Sequence, residues 1–530
     1  MANTTNRYKI WEPLLLSVVT LVGMIAGAKF VKSDAAPHKS EPAIGSANYS
    51  GRQVEEIIRF LETKYVGDVS ADALVEKAIK AILEDLDPHT HYFPPEQSDE
   101  LEEKTMGHYV GIGVEVLFIE DSLIVLYPKK DSPAERAGLR PGDYILSIND
   151  QPIPDDSLDH QEILDLIKGS KGTKVKLLIK PMFTDSVKTI EIKRDEIKVP
   201  SVLAGYMLDS TVAYIKISRF TNTTYREYMD NWEALTTKHH ACDLIIDLRD
   251  NPGGYLREAV NILSQLFKDE GQLLVYTEGK NQQRIEYKST GKVFFPVENI
   301  SVLINGNTAS ASEIIAGCLQ DQDRGMILGT RSYGKGLVQE QFELSNGGIL
   351  RMTVSKYYTP SGRSIQKSYD EGSNIDTVMI YKTMSGRPVH AGGGIVPDVT
   401  LDDGVNWDSP SLMAWMDIIS EYAIRYNLRK YGGELVSIDS IDEVFKKLPS
   451  HATIISDLSA LAKIRAREGF DNLNAFMLSH EDVIYRICEA SLVAYRTGEE
   501  GWYRAFNSTD PLVQKAKAMI KEDKLTSLVQ

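Results

Sequence analysis

The stretch VLINGNTASASEIIAGCL, residues 302–319, reads as a buried strand running into a helix through a turn of small residues. Val302 to Asn305 read as a short buried strand, and Ser310 to Leu319 continue as a helix. The same alternation recurs on both sides. Upstream, Ala213 to Ile217 and Leu244 to Leu248 read as strands, and Leu256 to Leu266 as a helix. Downstream, Met326 to Gly329, Val338 to Leu344 and Gly348 to Val354 read as strands. Alternating strands and helices predict a layered α/β core over residues 197–404.

The turn before Ser310 carries chemistry as well as shape. A helix start leaves backbone N–H groups unpaired, and these can hold a developing negative oxygen. Ser310 has two readings on these grounds, a helix cap or a nucleophile. A nucleophilic serine needs a base, and no histidine stands in an obvious triad position; His239 and His240 precede a strand and read as exposed. Lysine can serve where burial lowers its pKa. Lys335, between two glycines in SYGKG (332–336), is the candidate, with Gln339 within reach if the chain bends after Gly336. DLRDNPGG (247–254) also follows a strand and precedes a helix. Its Gly253-Gly254 pair is either an ordinary turn or a second source of a backbone donor.

Several other chemistries are excluded. GTRSYGKG (329–336) approaches the phosphate-loop pattern, but Gly336 stands where the magnesium-binding Ser or Thr belongs, and a strand follows where a helix is needed. Ser332-x-x-Lys335 has the spacing of the penicillin-enzyme pair, yet its glycines oppose the helical turn that pair requires. His89 and His91 in DPHTHYF (87–93) lack a third metal ligand, so no metal and no cofactor are expected. The formal charge of −16 argues against nucleic acid as a partner. Cys242, Cys318 and Cys488 are widely spaced and odd in number, which indicates neither a disulfide framework nor a zinc site.

The chain of 530 residues divides into several units. LLLSVVTLVGMIAGA (14–28) is uncharged and flanked by Arg7, Lys9, Lys29 and Lys32. It predicts a signal segment or a single transmembrane helix, cleaved or retained, with residues 1–50 as membrane contact and tether. Residues 51–105 read as helical, from Val54, Ile57, Ile58 and Leu61 and then Val75, Ile79, Ile82 and Leu83. Residues 106–196 alternate as short strands with one helix over Leu158 to Ile167. Residues 405–530 read as a helical C-terminal domain, for packing, assembly or covering the site.

These motifs carry a resemblance. VLINGNTASASEIIAGCLQD (302–321), GTRSYGKGLVQ (329–339), YYTPSGRSIQ (357–366), DLRDNPGG (247–254) and GIVPD (394–398) are together similar to the C-terminal processing peptidases, the tail-specific proteases of the S41 group. The match covers about residues 50–400. It implies a multidomain α/β protein with a ClpP/crotonase-like protease core, an inserted PDZ domain, and helical N- and C-terminal regions. It also implies a serine endopeptidase with Ser310 as nucleophile, Lys335 as base and Gln339 orienting the lysine. The oxyanion donors would be the N–H groups of Ala311 and of Gly253 or Gly254. SPAERAGLRPGD (132–143) is PDZ-like, with Gly111, Ile112, Gly113 and Val114 as the peptide-binding loop. The expected partners are proteins or peptides with exposed C-terminal tails, together with a homo-oligomer or regulatory adaptor. The expected location is the periplasmic side of the bacterial inner membrane, anchored by a single pass or signal-processed.

Overall fold

The computed structural model describes residues 51–98, 101, 107–119, 122–153, 160–181, 184–280, 282–368, 379–402, 404–431, 441–465 and 470–522. Its centre is a six-stranded sheet in the order Val202–Met207, Val212–Ile217, Asp243–Asp247, Ile300–Ile304, Met326–Gly329 and Val399–Thr400. The first pair is antiparallel and every later pair is parallel. Side chains alternate across a strand, so each inner strand feeds two cores. Ile246, Val302 and Ile304 face one core, which Tyr228, Trp232, Leu263 and Ile315 complete from the helices Thr224–His239, Leu256–Ser264 and Ala311–Asp321. Tyr214, Ile245 and Leu303 face the other, closed by Leu512, Val513, Ala516 and Ile520 of the helix Pro511–Lys521. Burial on both faces accounts for the unbroken apolar runs in the sequence.

A second, five-stranded antiparallel sheet joins His91–Phe93, Ile349–Tyr358, Glu270–Gly279 and Gln282–Thr290, with Leu337–Glu343 also paired to Ile349–Tyr358. Residues 91–93 thus belong to a sheet built from residues beyond position 269, although a separate domain intervenes. That domain has the antiparallel strands Val114–Ile119, Ser122–Pro128, Asp143–Ile148, Lys174–Pro181 and Lys188–Lys193. It holds its own core of Ile112, Leu123, Val125, Ile145, Val175 and Leu177, against which Ile163 and Ile167 of the helix His160–Ile167 pack. His108–Gly111 pairs with Asp195–Lys198 where the chain enters and leaves it. It is an insertion in the larger α/β fold.

The helices Pro410–Tyr431, Ile441–Lys446, His451–Arg465, Phe470–Ser479 and Glu481–Asn507 share a separate core around Leu412, Trp415, Ile419, Leu458, Ile484 and Leu492. Near the N-terminus, the helices are Gly51–Lys64 and Ala71–Glu84. The expectation of a transmembrane helix is corrected: no helix among the described residues is long and apolar enough to cross a membrane. The Leu14–Ala28 segment on which that expectation rested lies outside the described residues, and no described helix provides the single-pass anchor expected at the inner membrane.

Candidate active site

The Ile300–Ile304 strand ends in a loop that delivers Ser310 to the start of the Ala311–Asp321 helix. Ser310 has φ 55° and ψ −116°, a conformation costly for any residue with a side chain and sustained only by strong anchoring. The anchors are specific. Its N–H donates to Glu313 Oε2 at 2.8 Å, and its carbonyl accepts from the Glu313 N–H at 2.9 Å and the Tyr357 hydroxyl at 3.1 Å. Ahead of it, the Ala309 N–H donates to the Asn251 carbonyl at 2.9 Å, and Thr308 Oγ1 donates to the Leu248 carbonyl at 2.8 Å.

Asn251 and Leu248 belong to DLRDNPGG, so this second turn lies directly against the serine loop. A Cβ on Gly253 would come within 2.7 Å of both Ala309 O and Ser310 Cβ, and 2.9 Å of Ala311 N. With φ at 96°, only glycine fits. The Gly253 N–H is committed to Asn251 Oδ1 at 2.8 Å. Gly254 bridges Phe220 on the other side, through Phe220 N–H to Gly253 O at 2.8 Å and Tyr255 N–H to Phe220 O at 2.9 Å. Among the described residues no hydrogen bond uses the N–H of Gly254 or of Ala311.

Lys335 lies half-buried in the SYGKG loop, and its Nζ donates to Gln339 Oε1 at 2.9 Å. A register shift falls between Val338 and Gln339, where the partner strand Ile349–Tyr358 carries one extra residue, Val354; such a bulge raises the local twist and re-aims the amide. Gln339 Nε2 in turn donates to the His89 carbonyl at 2.5 Å. Burial, and then the Arg351 guanidinium, push the Lys335 pKa down, while Asp87 and Glu313 oppose the shift. No hydrogen bond joins the Ser310 and Lys335 side chains among the described residues; their backbones are what the fold ties together.

Two side chains that sequence reasoning missed make that tie. Glu313 is fully buried, and its carboxylate accepts from Ser310 N (2.8 Å), Lys335 N (2.9 Å), Gly334 N (2.8 Å) and Ser332 Oγ (2.6 Å). Burial pushes its pKa up, against these four bonds, which favour the ionised form. The Tyr357 hydroxyl reaches the Lys335 carbonyl at 2.7 Å as well as the Ser310 carbonyl. The spacing Ser310-x-x-Glu313 was a usable signal, since it is that of a capping box. The other motifs brace the lysine loop: the Gly336 N–H bonds Gln366 Oε1 at 2.8 Å, the Ile395 N–H bonds Ser332 Oγ at 2.6 Å, and the Lys367 N–H bonds the Gly334 carbonyl at 2.8 Å.

Gly111, Ile112, Gly113 and Val114 line a separate groove of about 300 Å³, faced by Leu164 and Ile167 of the helix His160–Ile167. Lys168 and Arg219 give its wall positive charge. One trio, Cys242, Asp243 and Glu298, brings potential metal-binding atoms within 4.8 Å of one another. Asp243 opens a strand whose far end leads to DLRDNPGG, so the trio lies at the opposite edge of the sheet from Ser310, and Asp243 already accepts from Asn299 Nδ2 at 2.8 Å.

Two family models match parts of the chain. The model of peptidase family S41 matches residues 211–379, and that of a PDZ domain residues 124–181. The chain is 36% identical to a carboxy-terminal-processing protease of Bartonella bacilliformis over 59% of its own length and 71% of the relative's. It is 34% identical to a probable CtpA-like serine protease of Staphylococcus aureus over 66% of its length, but spans just under two thirds (64%) of that relative. Among solved structures, a photosystem II D1 C-terminal processing protease aligns at 27% identity over 65% of this chain and 86% of that one, with a TM-score of 0.36. The chain belongs to peptidase family S41 and is a PDZ-bearing serine endopeptidase of the carboxy-terminal-processing type.

Proposed function

We propose that Ser310 is the nucleophile, Lys335 the general base and acid, and Gln339 the residue that orients the lysine. The observation that carries this reading is the double clamp: one carboxylate and one phenol, Glu313 and Tyr357, each bind backbone groups of both Ser310 and Lys335. A neutral Lys335 that spends one N–H on Gln339 keeps its lone pair for the Ser310 proton. Ser310 Oγ then attacks the scissile carbonyl carbon and gives a tetrahedral oxyanion. The free N–H groups of Gly254 and Ala311 are the donors that suit it, because the Gly253 N–H is already taken by Asn251. Protonated Lys335 passes its proton to the leaving amine as the C–N bond breaks. Water, deprotonated by the same lysine, releases the acyl group from Ser310.

The groove at Gly111 to Val114 suits the exposed C-terminal tail of a protein substrate. An extended tail can add as a strand at its edge, with apolar side chains against Leu164 and Ile167. In this reading the inserted domain spans residues 106–196 and the peptidase core residues 197–404, with ClpP/crotonase-like turns in the core. The test is Ser310→Ala. It is expected to abolish cleavage of an unfolded protein bearing an apolar tail while leaving tail binding to the groove unchanged. Measurable turnover by Ser310→Ala, or wild-type turnover by Lys335→Ala, would remove the assignment.

A further inference from the structure

DLRDNPGG is braced on its inner side by the serine loop, but its outer side is held by a residue from the far end of the chain. Arg249 is the hub. Its Nε and Nη2 fork onto Asp247 at 3.0 and 2.6 Å, and its Nη1 reaches Asp510 Oδ2 at 2.7 Å. Both carboxylates are almost wholly buried, with side-chain exposures of 1% and 4%. Tyr214 donates to Asp247 at 2.7 Å; Lys216 bonds Asp247 at 3.3 Å and also the Arg249 carbonyl. The Arg249 backbone, four residues before Gly253, is thereby fixed through its side chain, its carbonyl, and its N–H, which donates to Asp247 Oδ1 at 2.9 Å.

Asp510 has a second task. Its Oδ1 caps the Pro511–Lys521 helix through Leu512 N at 2.9 Å and Val513 N at 3.4 Å. That helix closes the second face of the central sheet. One carboxylate therefore fastens the final helix to the turn that presents Gly253 and Gly254. A guanidinium shared between two carboxylates has a fixed plane, whereas one held by a single partner can swing.

We propose that Asp510 and Arg249 are positioning residues for the peptidase reaction, through which the last helix sets the geometry of the oxyanion turn. This rests on the assignment of Ser310 and the Gly254 turn above. No hydrogen bond among the described residues joins Arg249 or Asp510 to Ser310, and both lie apart from the Gly111 to Val114 groove, so the expected effect is on the rate of the chemical step rather than on tail binding.

The test compares Asp510→Asn, Arg249→Lys, their double variant, and Val513→Ala in the full chain. Val513→Ala opens a cavity under the same helix without touching the ion network. Asparagine still caps a helix, so Asp510→Asn separates the charge from the cap. The expected result is a fall in kcat on the order of 10-fold for each single variant. KM and the affinity for a fluorescent tail peptide stay unchanged, and the double variant is no worse than the singles. Val513→Ala is expected to lower Tm with kcat intact. The proposal is overturned if Asp510→Asn loses Tm like Val513→Ala but keeps wild-type kcat, or if the two single effects multiply. Should Asp510→Asn not fold, Asp510→Ser keeps a capping oxygen and gives the same comparison. Ser310→Ala runs alongside: cleavage by that variant would sink the site assignment, whereas a dead Ser310→Ala beside a fully active Asp510→Asn would sink only this proposal.

Discussion

Replacing Glu313 by Gln changes one oxygen for an NH2 group at the most heavily bonded point of the site. Four donors converge there: Ser310 N and Lys335 N on one carboxylate oxygen, Gly334 N and Ser332 Oγ on the other. The better amide orientation keeps its oxygen toward Ser310 and Lys335. The NH2 group then faces Ser332, whose hydroxyl can turn to accept, and the Gly334 N–H, which is left without an acceptor. A buried orphan donor costs about 1–3 kcal/mol, and the two surviving bonds each lose roughly 1 kcal/mol when the acceptor is no longer charged. The total is about 3–5 kcal/mol, a large share of the roughly 5–15 kcal/mol that holds a domain folded. At about 2–4 °C per kcal/mol, the core transition is expected to fall by roughly 10 °C. The same substitution loosens the strained Ser310 conformation, so kcat is expected to fall on the order of 100-fold. Differential scanning calorimetry and turnover of a tail-bearing substrate below the new transition measure both. A variant that melts within about 1 °C of wild type refutes the stability reasoning. One that melts early but turns over at the wild-type rate shows that Glu313 holds the fold and not the reaction geometry.

Arg351→Gln removes a cation that helps to depress the Lys335 pKa. Because the neutral amine is the active form, the acid limb of kcat/KM moves to higher pH: activity falls at neutral pH and recovers at the alkaline plateau. An unmoved limb would mean that burial alone sets the lysine. Gly253→Ala places a methyl group 2.7 Å from Ser310 Cβ at φ 96°. It is expected to cost about 1–3 kcal/mol in overpacking and to reduce kcat at least 10-fold, with tail affinity, read by fluorescence anisotropy, unchanged. Wild-type kcat in this variant would show that the turn does not bear on the serine.

The inner strands of the central sheet were legible because they are buried on both faces, which leaves apolar runs such as Leu244 to Ile246 and Val302 to Ile304; the edge strands Val202–Met207 and Val399–Thr400, less buried, were not. The contact between Gln339 and Lys335 was legible in kind, but its means was not: a bulge is a property of strand pairing with Ile349–Tyr358. The hairpin of Glu270–Gly279 with Gln282–Thr290 escaped because three register irregularities break its alternation. The helix Thr224–His239 shows Tyr228, Trp232 and Leu235 at helical spacing, a stripe that a reading led by strands passes over. The start of the last helix is written locally, with Asp510 before Pro511. Its seat on the protease sheet is not, because the residues it packs against, such as Tyr214, Ile245 and Leu303, and its ion-pair partner Arg249 all lie more than 200 positions away in the chain. His89 drew attention in the sequence only as half of a histidine pair lacking a third metal ligand; its carbonyl holds Gln339 from 250 positions away, which no local pattern records.

The choice of a carboxylate at position 313 exposes a conflict inside the site. Three backbone N–H groups and a hydroxyl need an acceptor with two oxygens and no hydrogens of its own, and among side chains only an ionised Asp or Glu provides that. Yet the same negative charge raises the Lys335 pKa, which works against a lysine that must be neutral to act as a base. Burial and Arg351 act in the opposite direction and prevail, since the net shift is downward. The two functions of Glu313 therefore carry opposite signs in a pH profile. Glu313→Gln is expected to move the acid limb to lower pH, because a charge that favours the ammonium form is gone, while the plateau drops because the backbone clamp is broken. If the limb moved and the plateau held, Glu313 would matter to Lys335 only as a charge, and the alignment of the nucleophile and base loops would have to come from Tyr357 alone.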